Sequence, residues 1–485
     1  MVALCACGTT VRGYHPSDDA TGLGDGSSSV GASGSSALGG SAPSAVGTTA
    51  LLGGSTAGGA TVAAGLTTGS AAGVGPSATT AGGGLPPVSI APDAPILLGV
   101  ATYQDPGVVE ASGFEGAPDF EGEQSFQTII GYYNSHGGFG GHQVTPIYYQ
   151  FPLESTSSYS SLEQSACADF TQDHHVVAVV SDRPSFDDVL TTCLATAHVP
   201  LITDTFGYVS GAELVKYPMY FPSMPSGERA VGAWITGLQQ MGYFSPKAHV
   251  GVLYCDLPTY LVVYPTVTSD LAAIGVKPTA TSELSCGSTE SLASQLSASV
   301  LKFKAAGVDH VLIMDDPPTL SLLWPTEAES QGYAPRYGFN TYDTPTFVAS
   351  NVSASELHGA IGVGWWPWQD VSPSAWPPPD APATQCLAVY HAAGLPVDDG
   401  GGRSVSMWDC GMVQFFRTLV GVAPNLGLGG IETAVNSLGS SWVSPTAFRV
   451  VLNPSRHDGG AAYRDFAYND GCTCFEYSSA TLHPM

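Results

Sequence analysis

Several residues in this chain have the types and spacing needed to hold a small polar molecule. Ser181-Asp182-Arg183-Pro184-Ser185 and Thr203-Asp204-Thr205 each follow a short apolar run and precede a helix-length segment. Hydroxyls at a helix start lie beside backbone N–H groups that lack an intrahelical acceptor, and together these suit a carboxylate. The same hydroxyls serve as helix N-caps, and for Ser185 the two roles are compatible. Tyr103-Gln104 and, further on, Ser112 follow another apolar run in the same manner. Acidic groups stand after two further runs, as Asp256 with Tyr260 close behind and as Asp315-Asp316 before Pro317. An Asp-Pro pair is also ordinary turn punctuation.

Covalent chemistry finds no comparable support. The chain has no G-x-S-x-G elbow, no H-E-x-x-H helix and no phosphate loop. Gly58-Gly59 and Gly82-Gly83-Gly84 are not followed by Lys-Ser/Thr or set between strand and helix. His174-His175 have no partner at metal-ligand spacing, which leaves them as surface or cap residues. The expectation is a binding protein with no catalytic residues, no metal and no cofactor.

Bulk properties narrow the partners. The chain has 485 residues, enough for two domains, with 11% charged residues and a formal net charge of −27. That balance argues against nucleic acid or an anionic membrane surface, since both call for basic patches. No run approaches the ~20 apolar residues of a membrane-spanning helix. Of ten cysteines, Cys5 and Cys7 sit at the N-terminus; the others are Cys167, Cys193, Cys255, Cys286, Cys386, Cys410, Cys472 and Cys474. None has C-x-x-C spacing, so disulfides and an oxidising compartment are favoured.

The elements that position these residues can be read from periodicity. Apolar runs at 96–100, 144–149, 176–180, 200–202, 250–254, 308–314 and 361–366 read as strands. Helix-length segments at 166–173, 187–197, 230–241, 264–273 and 292–305 separate most of them. That alternation predicts an α/β fold of mostly parallel sheets with helices on both faces. Ligands in such sheets bind beyond the carboxyl ends of the strands, where the residues named above stand. The Pro-rich stretch from Trp365-Trp366-Pro367-Trp368 to Pro379 reads as a long loop or lid, whose three tryptophans either stack on a ligand or, the favoured role, pack.

One joint is more specific. Phe126, Ile129, Ile130 and Tyr133 form the i, i+3, i+4, i+7 stripe of a helix. Asn134-Ser135-His136-Gly137-Gly138 ends that helix, and Phe139-Gly140-Gly141-His142 leads into the next strand. With the strand and loop before it, this order resembles the first βαβ unit of the type 1 periplasmic solute-binding proteins, the branched-chain amino acid (Leu/Ile/Val) binding family of ABC importers. The matching residues are Asn134, Gly137, Gly138, Phe139 and Gly141; Phe139 and the longer Ser135-His136 spacing depart from the family pattern.

The resemblance implies two lobes closing on a ligand, with lobe 1 at about 94–222 and 346–438 and lobe 2 at about 223–345 and 439–485. The chain would cross between them at 221–226, at 339–347 and near 438–443. In amino acid-binding relatives lobe 1 holds the ligand carboxylate, which matches Ser185 and Thr205 here. The family commonly places an acidic residue in lobe 2 against the ammonium, which matches Asp315 or Asp316, with Asp256 in reserve. Tyr103, Gln104, Ser112, Ser181 and Tyr260 complete the implied site. It also guides one choice among the 105 pairings of eight cysteines: Cys167–Cys193, Cys255–Cys286, Cys386–Cys410 and Cys472–Cys474.

Leu4-Cys5-Ala6-Cys7-Gly8 resembles a bacterial lipobox, which implies lipidation of Cys7 after removal of a signal peptide. Residues 10–93 are almost entirely Gly, Ser, Ala, Thr and Pro and predict a disordered tether. As a flexible coil such a tether reaches roughly 50 Å. The implied protein is an extracytoplasmic, membrane-anchored lipoprotein that delivers an amino acid or similar solute to an ABC permease. The rival from another class is a surface sensor or receptor in which the same cleft gates a protein partner.

Overall fold

A computed structural model describes residues 94–104, 122–152, 157–182, 187–203, 207–286, 289–315 and 319–485. Cys7 and the expected tether lie outside them.

The first sheet is parallel throughout, in the order β2-β1-β3-β4-β5. Its strands are β1 Ile96–Gln104, β2 Val144–Pro152, β3 Ala178–Ser181, β4 Leu201–Thr203 and β5 Tyr220–Pro222. The second sheet runs β12-β11-β10-β9-β8-β6-β7. It contains β6 Val250–Cys255, β7 Ala280–Leu284, β8 His310–Met314, β9 Arg336–Asn340, β10 Ile361–Gly364, β11 Ala462–Asn469 and β12 Cys474–Tyr477. The short β13 His483–Pro484 pairs with β11. From β7 to β10 the pairing is parallel, whereas β10–β11 and β11–β12 are antiparallel. Every residue of β3 and β6 is buried, as strands covered on both faces require, and this explains the apolar runs Ala178-Val179-Val180 and Val250-Gly251-Val252-Leu253.

Helices join the strands. They are α1 Gly122–Ser135, α2 Tyr159–Ala168, α3 Val189–Thr196, α4 Gly211–Lys216, α5 Gly227–Gln240, α6 Pro258–Ala273 and α7 Thr289–Ala306. After these come α8 Thr319–Ser330, α9 Pro345–Asn351, α10 Ala354–Leu357, α11 Pro367–Asp370, α12 Ala381–Ala392, α13 Gly400–Val422 and α14 Leu428–Leu438.

The α1–β2 joint shows why its residue types are needed. Phe126, Ile129, Ile130 and Tyr133 are all buried. Gly137 and Gly138 take φ of 93° and 71°, and the Gly138 N–H closes the helix on the Tyr133 carbonyl at 2.8 Å. A Cβ on Gly138 would meet the His142 carbonyl oxygen at 2.2 Å. The Asn134 amide then bonds both backbone groups of Val144, donating to its carbonyl and accepting from its N–H, each at 2.8 Å. One side chain therefore fixes where β2 begins relative to the end of α1. Helix α13 locks the joint from outside: Arg417 donates to the Gly138 carbonyl at 3.0 Å and stacks over Tyr133.

Two expectations need correction. The resemblance puts the strand at 361–366 in lobe 1, but β10 lies in the second sheet, parallel to β9 with Val363 opposite Asn340. Gly362 makes that possible, because a Cβ there would meet the Phe466 ring of β11 at 2.2 Å. Consequently 339–347 is no crossing; it leads through the short α9 and α10 back to the same sheet. The chain reaches the first sheet's helices only later, where α12 and α13 pack on α1. The strands β5, β7, β9, β11, β12 and β13 are also absent from that reading; β5 has three residues and β13 two, and β7, β9, β11 and β12 carry polar residues within the run.

Disulfides join Cys167 to Cys193, Cys255 to Cys286, Cys386 to Cys410 and Cys472 to Cys474. The first ties α2 to α3 and the third ties α12 to α13. Between the sheets, Arg229 at the start of α5 pairs with buried Asp458, which also accepts from the Ser226 N–H. This pair fastens the passage after β5 to the passage before β11.

Candidate functional site

The carboxyl ends of the first sheet place hydroxyls side by side. Ser181 is in register with Ala101 on one side and Thr203 on the other. Both hydroxyl residues are buried, and Thr203 Oγ1 has no hydrogen-bond partner among the described residues. Beside them Thr102 Oγ1 donates to Asp182 Oδ2 at 2.9 Å. Gly122 opens α1 directly against this pair, since a Cβ there would meet Thr102 Oγ1 at 2.2 Å. Burial pushes the Asp182 carboxyl up to about 7, with the Thr102 bond working against it. Tyr103, the next residue of β1, is half-buried.

The second sheet presents carboxylates at the same end. Asp315 follows β8, is 1% exposed, and its Oδ2 accepts from the Ser321 N–H at 2.7 Å, in the first turn of α8. Ser321 Oγ in turn donates to Asp343 at 2.6 Å. Burial holds the Asp343 carboxyl well above the usual range, and the Asp315 charge raises it further. Asp370, after β10, accepts from Thr341, from the Trp366 N–H and from Tyr477. Asp256 follows β6 and turns toward the sheet edge, accepting from Ser285 Oγ at 2.8 Å and from the Cys286 N–H at 3.2 Å. Its carboxylate thus orders the loop closed by the Cys255–Cys286 bond.

Aromatic side chains stand where the two sets of strand ends meet. Tyr208, after β4, lies 5.7 Å from Tyr260 at the start of α6 and 4.5 Å from Tyr342 after β9, ring centre to ring centre. Tyr342 packs edge-on to Trp365 at 5.3 Å and donates to the Pro225 carbonyl. Thr259 Oγ1 donates to the Tyr208 carbonyl at 2.7 Å. These contacts bring the segment after β4 onto the segments after β6 and β9. Trp365, Trp366 and Trp368 are all buried, which is a packing role.

Of the residues singled out from the sequence, Ser181, Tyr103, Tyr260 and Asp315 stand at these strand ends. Gln104 ends β1, and its side chain lies outside the described residues, as do Ser112, Ser185, Thr205 and Asp316. Sequence reasoning missed Tyr208 and Tyr342, and it placed Asp182 and Thr259 at strand ends without giving either a role. For Tyr208, three residues past Thr205, proximity to a strand end was the available signal; Tyr342 follows β9, a strand the sequence does not reveal. A separate cavity of about 40 Å³ is lined by Ile202, Phe221, Trp408, Met412, Phe415 and Trp442, among others.

Neither a protein-family model nor a curated protein matches the sequence. Solved structures do match the fold. The chain aligns with a type 1 periplasmic binding protein from Bordetella pertussis at TM-score 0.57 and 13% identity, covering 81% of this chain and 100% of the other. The fold is that of the type 1 periplasmic binding proteins. A branched-chain amino acid ABC transporter protein from Thermus thermophilus with bound valine aligns with this type 1 fold at TM-score 0.59 and 11% identity, over 81% and 97% of the two chains. An ABC-transporter solute-binding protein from Rhodopseudomonas palustris with p-hydroxybenzoic acid gives 0.60 and 13%, again over 81% and 97%. Within the type 1 fold of this chain, the tyrosine group and the two rows of strand ends occupy the meeting point of the sheets.

Proposed function

We propose that this chain is an extracytoplasmic solute-binding protein that holds an amino acid or similar small polar ligand between two lobes and delivers it to an ABC permease. Cys7 carries a lipid anchor and residues 10–93 form the tether. Lobe 1 is built on the first sheet with α12 to α14, and lobe 2 on the second sheet including β10. The observation that carries this reading is the contact of Tyr208 with Thr259, Tyr260 and Tyr342, which joins the carboxyl ends of two largely parallel sheets.

The ligand carboxylate is taken by Ser185 and Thr205, with Ser181 and Thr203 beside them, and the ammonium by Asp315 or Asp316. Tyr103, Gln104, Ser112 and Tyr260 line the ligand; Asp256 is the reserve acid. The two ligands named in the similar structures, valine and p-hydroxybenzoic acid, share a carboxylate and differ in the amine. That supports the hydroxyl side of the site more strongly than the acidic side. The test is mass spectrometry of small molecules released when the purified protein is denatured. A retained amino acid or related carboxylate that rebinds one to one supports the reading. A protein that releases nothing and binds none of a panel of amino acids and aromatic acids refutes it.

A further inference from the structure

The turn between β11 and β12 carries chemistry that the cleft does not use. Cys472 and Cys474 are bonded across a single residue, Thr473, whose φ of 53° is left-handed. Cys472 is exposed, unlike Cys167, Cys255, Cys286, Cys386 and Cys410, which are buried. Glu476, two residues along β12, places a carboxylate oxygen within 4.8 Å of both sulfurs.

The hairpin does not depend on this bond. Strands β11 and β12 pair from Asn469–Cys474 to Phe466–Tyr477, and the Gly471 N–H closes the turn on Asn469 Oδ1 at 2.8 Å. Asp470 pairs with His358 at 2.8 Å, and Phe475 is fully buried. A disulfide across one residue also closes the smallest loop of the four and so constrains the unfolded chain least. It is therefore the bond whose opening disturbs the fold least, and Cys472 is its exposed end.

We propose that Cys472, Cys474 and Glu476 form a redox-gated site for a thiophilic divalent cation such as zinc. A thiolate of a dithiol reductant attacks Cys472 Sγ, and Cys474 Sγ leaves with the electron pair of the broken bond and takes a proton. The second thiol of the reductant then displaces Cys472, which leaves two protein thiols and one oxidised reductant. Cation binding releases both thiol protons to solvent, and the two thiolates and the Glu476 carboxylate supply three ligands, with water as the fourth. Tetrahedral zinc at about 2.3 Å from each sulfur sets the sulfurs roughly 3.8 Å apart, a change that side-chain rotation supplies. Opposite charge on three anionic donors within 4.8 Å of one another drives the binding.

The experiment treats the full chain with dithiothreitol under native conditions, maps free thiols by alkylation and peptide mass spectrometry, and titrates zinc against a chromogenic chelator. Cys472 and Cys474 are expected to label first while the other three bonds persist. The reduced protein then takes one equivalent of zinc beyond what the Cys472→Ser/Cys474→Ser protein takes. Glu476→Gln, which keeps both thiols, weakens that equivalent at least about tenfold, since even an outer-shell partner is worth that much. Opening of another bond first, or no extra zinc once both thiols are proven free, overturns the proposal. Near-ultraviolet circular dichroism confirms that each variant is folded.

Discussion

Thr259 Oγ1 donates to the Tyr208 carbonyl at 2.7 Å, and this bond links the segment after β6 in one sheet to the segment after β4 in the other. In a two-lobed protein that closes by hinge motion, such a bond exists only when the lobes are together. Thr259→Val should remove it while keeping the side-chain shape. A net hydrogen bond of about 0.5–1.5 kcal/mol then shifts closure against ligand by about 2- to 10-fold. Calorimetry with the retained ligand reads the loss, and small-angle scattering should show a larger unliganded radius. Unchanged affinity and radius would place the bond outside the closing motion.

The joint at Asn134 tests how β2 is positioned. Asn134→Ala deletes both bonds to Val144, which should cost about 2 kcal/mol in urea unfolding. Asn134→Asp keeps the acceptor and loses the donor, so it should fall between the parent and the alanine variant.

Buried acids predict the direction of the pH dependence. Burial raises the Asp370 carboxyl to about 7, against bonds from Thr341, Tyr477 and Trp366 that favour the charged form. Asp182, Glu213 and Glu356 are raised to about 7 as well, in each case mainly by burial. A carboxyl raised on folding contributes stability that is complete below its unfolded value near 4 and is lost as pH rises through 7. The protein should therefore be more stable at pH 5 than at pH 8 by a few kcal/mol. Asp370→Asn mimics the protonated acid, with its amide facing Thr341 Oγ1, and should flatten part of that slope. Thermal unfolding across this pH range, which shows parent and variant falling in parallel, would assign the slope to the other acids.

The two interhelical disulfides should outweigh the hairpin one. Cys167–Cys193 spans 26 residues and should contribute about 3 kcal/mol through the unfolded state, against roughly 1–2 kcal/mol for Cys472–Cys474. Paired Cys→Ser variants compared in urea without reductant check the order.

The α1–β2 joint was legible in the sequence because its signals are local: an apolar stripe, a run of glycines and one Asn at fixed spacing. The strands β1, β3, β6 and β8 were legible because burial on both faces leaves an unbroken apolar run. The position of β10 was not, since it depends on Gly362 admitting the ring of Phe466, more than a hundred residues away. Tyr208 and Tyr342 were hidden for a similar reason. Each reads as a loop aromatic until the two sheets bring them within 4.5 Å. Asp182 could be placed at a strand end, but its bond to Thr102 spans 80 residues and only the sheet order reveals it.

A small carboxylate-bearing solute is proposed to sit between the two rows of strand ends. Titration calorimetry on the ligand identified from the purified protein tests it most directly, with the parent, Asp315→Asn, Asp316→Asn and Asp256→Asn compared. Hydrogen bonds to a charged group are worth roughly 1.5–3 kcal/mol, so loss of the ammonium partner should weaken binding about 10- to 100-fold. One-to-one binding is expected in the parent and that loss in Asp315→Asn or Asp316→Asn, with Asp256→Asn close to the parent. Equal affinity in all four proteins would contradict the placement of the amine, and no measurable binding in the parent would contradict solute binding between the strand ends.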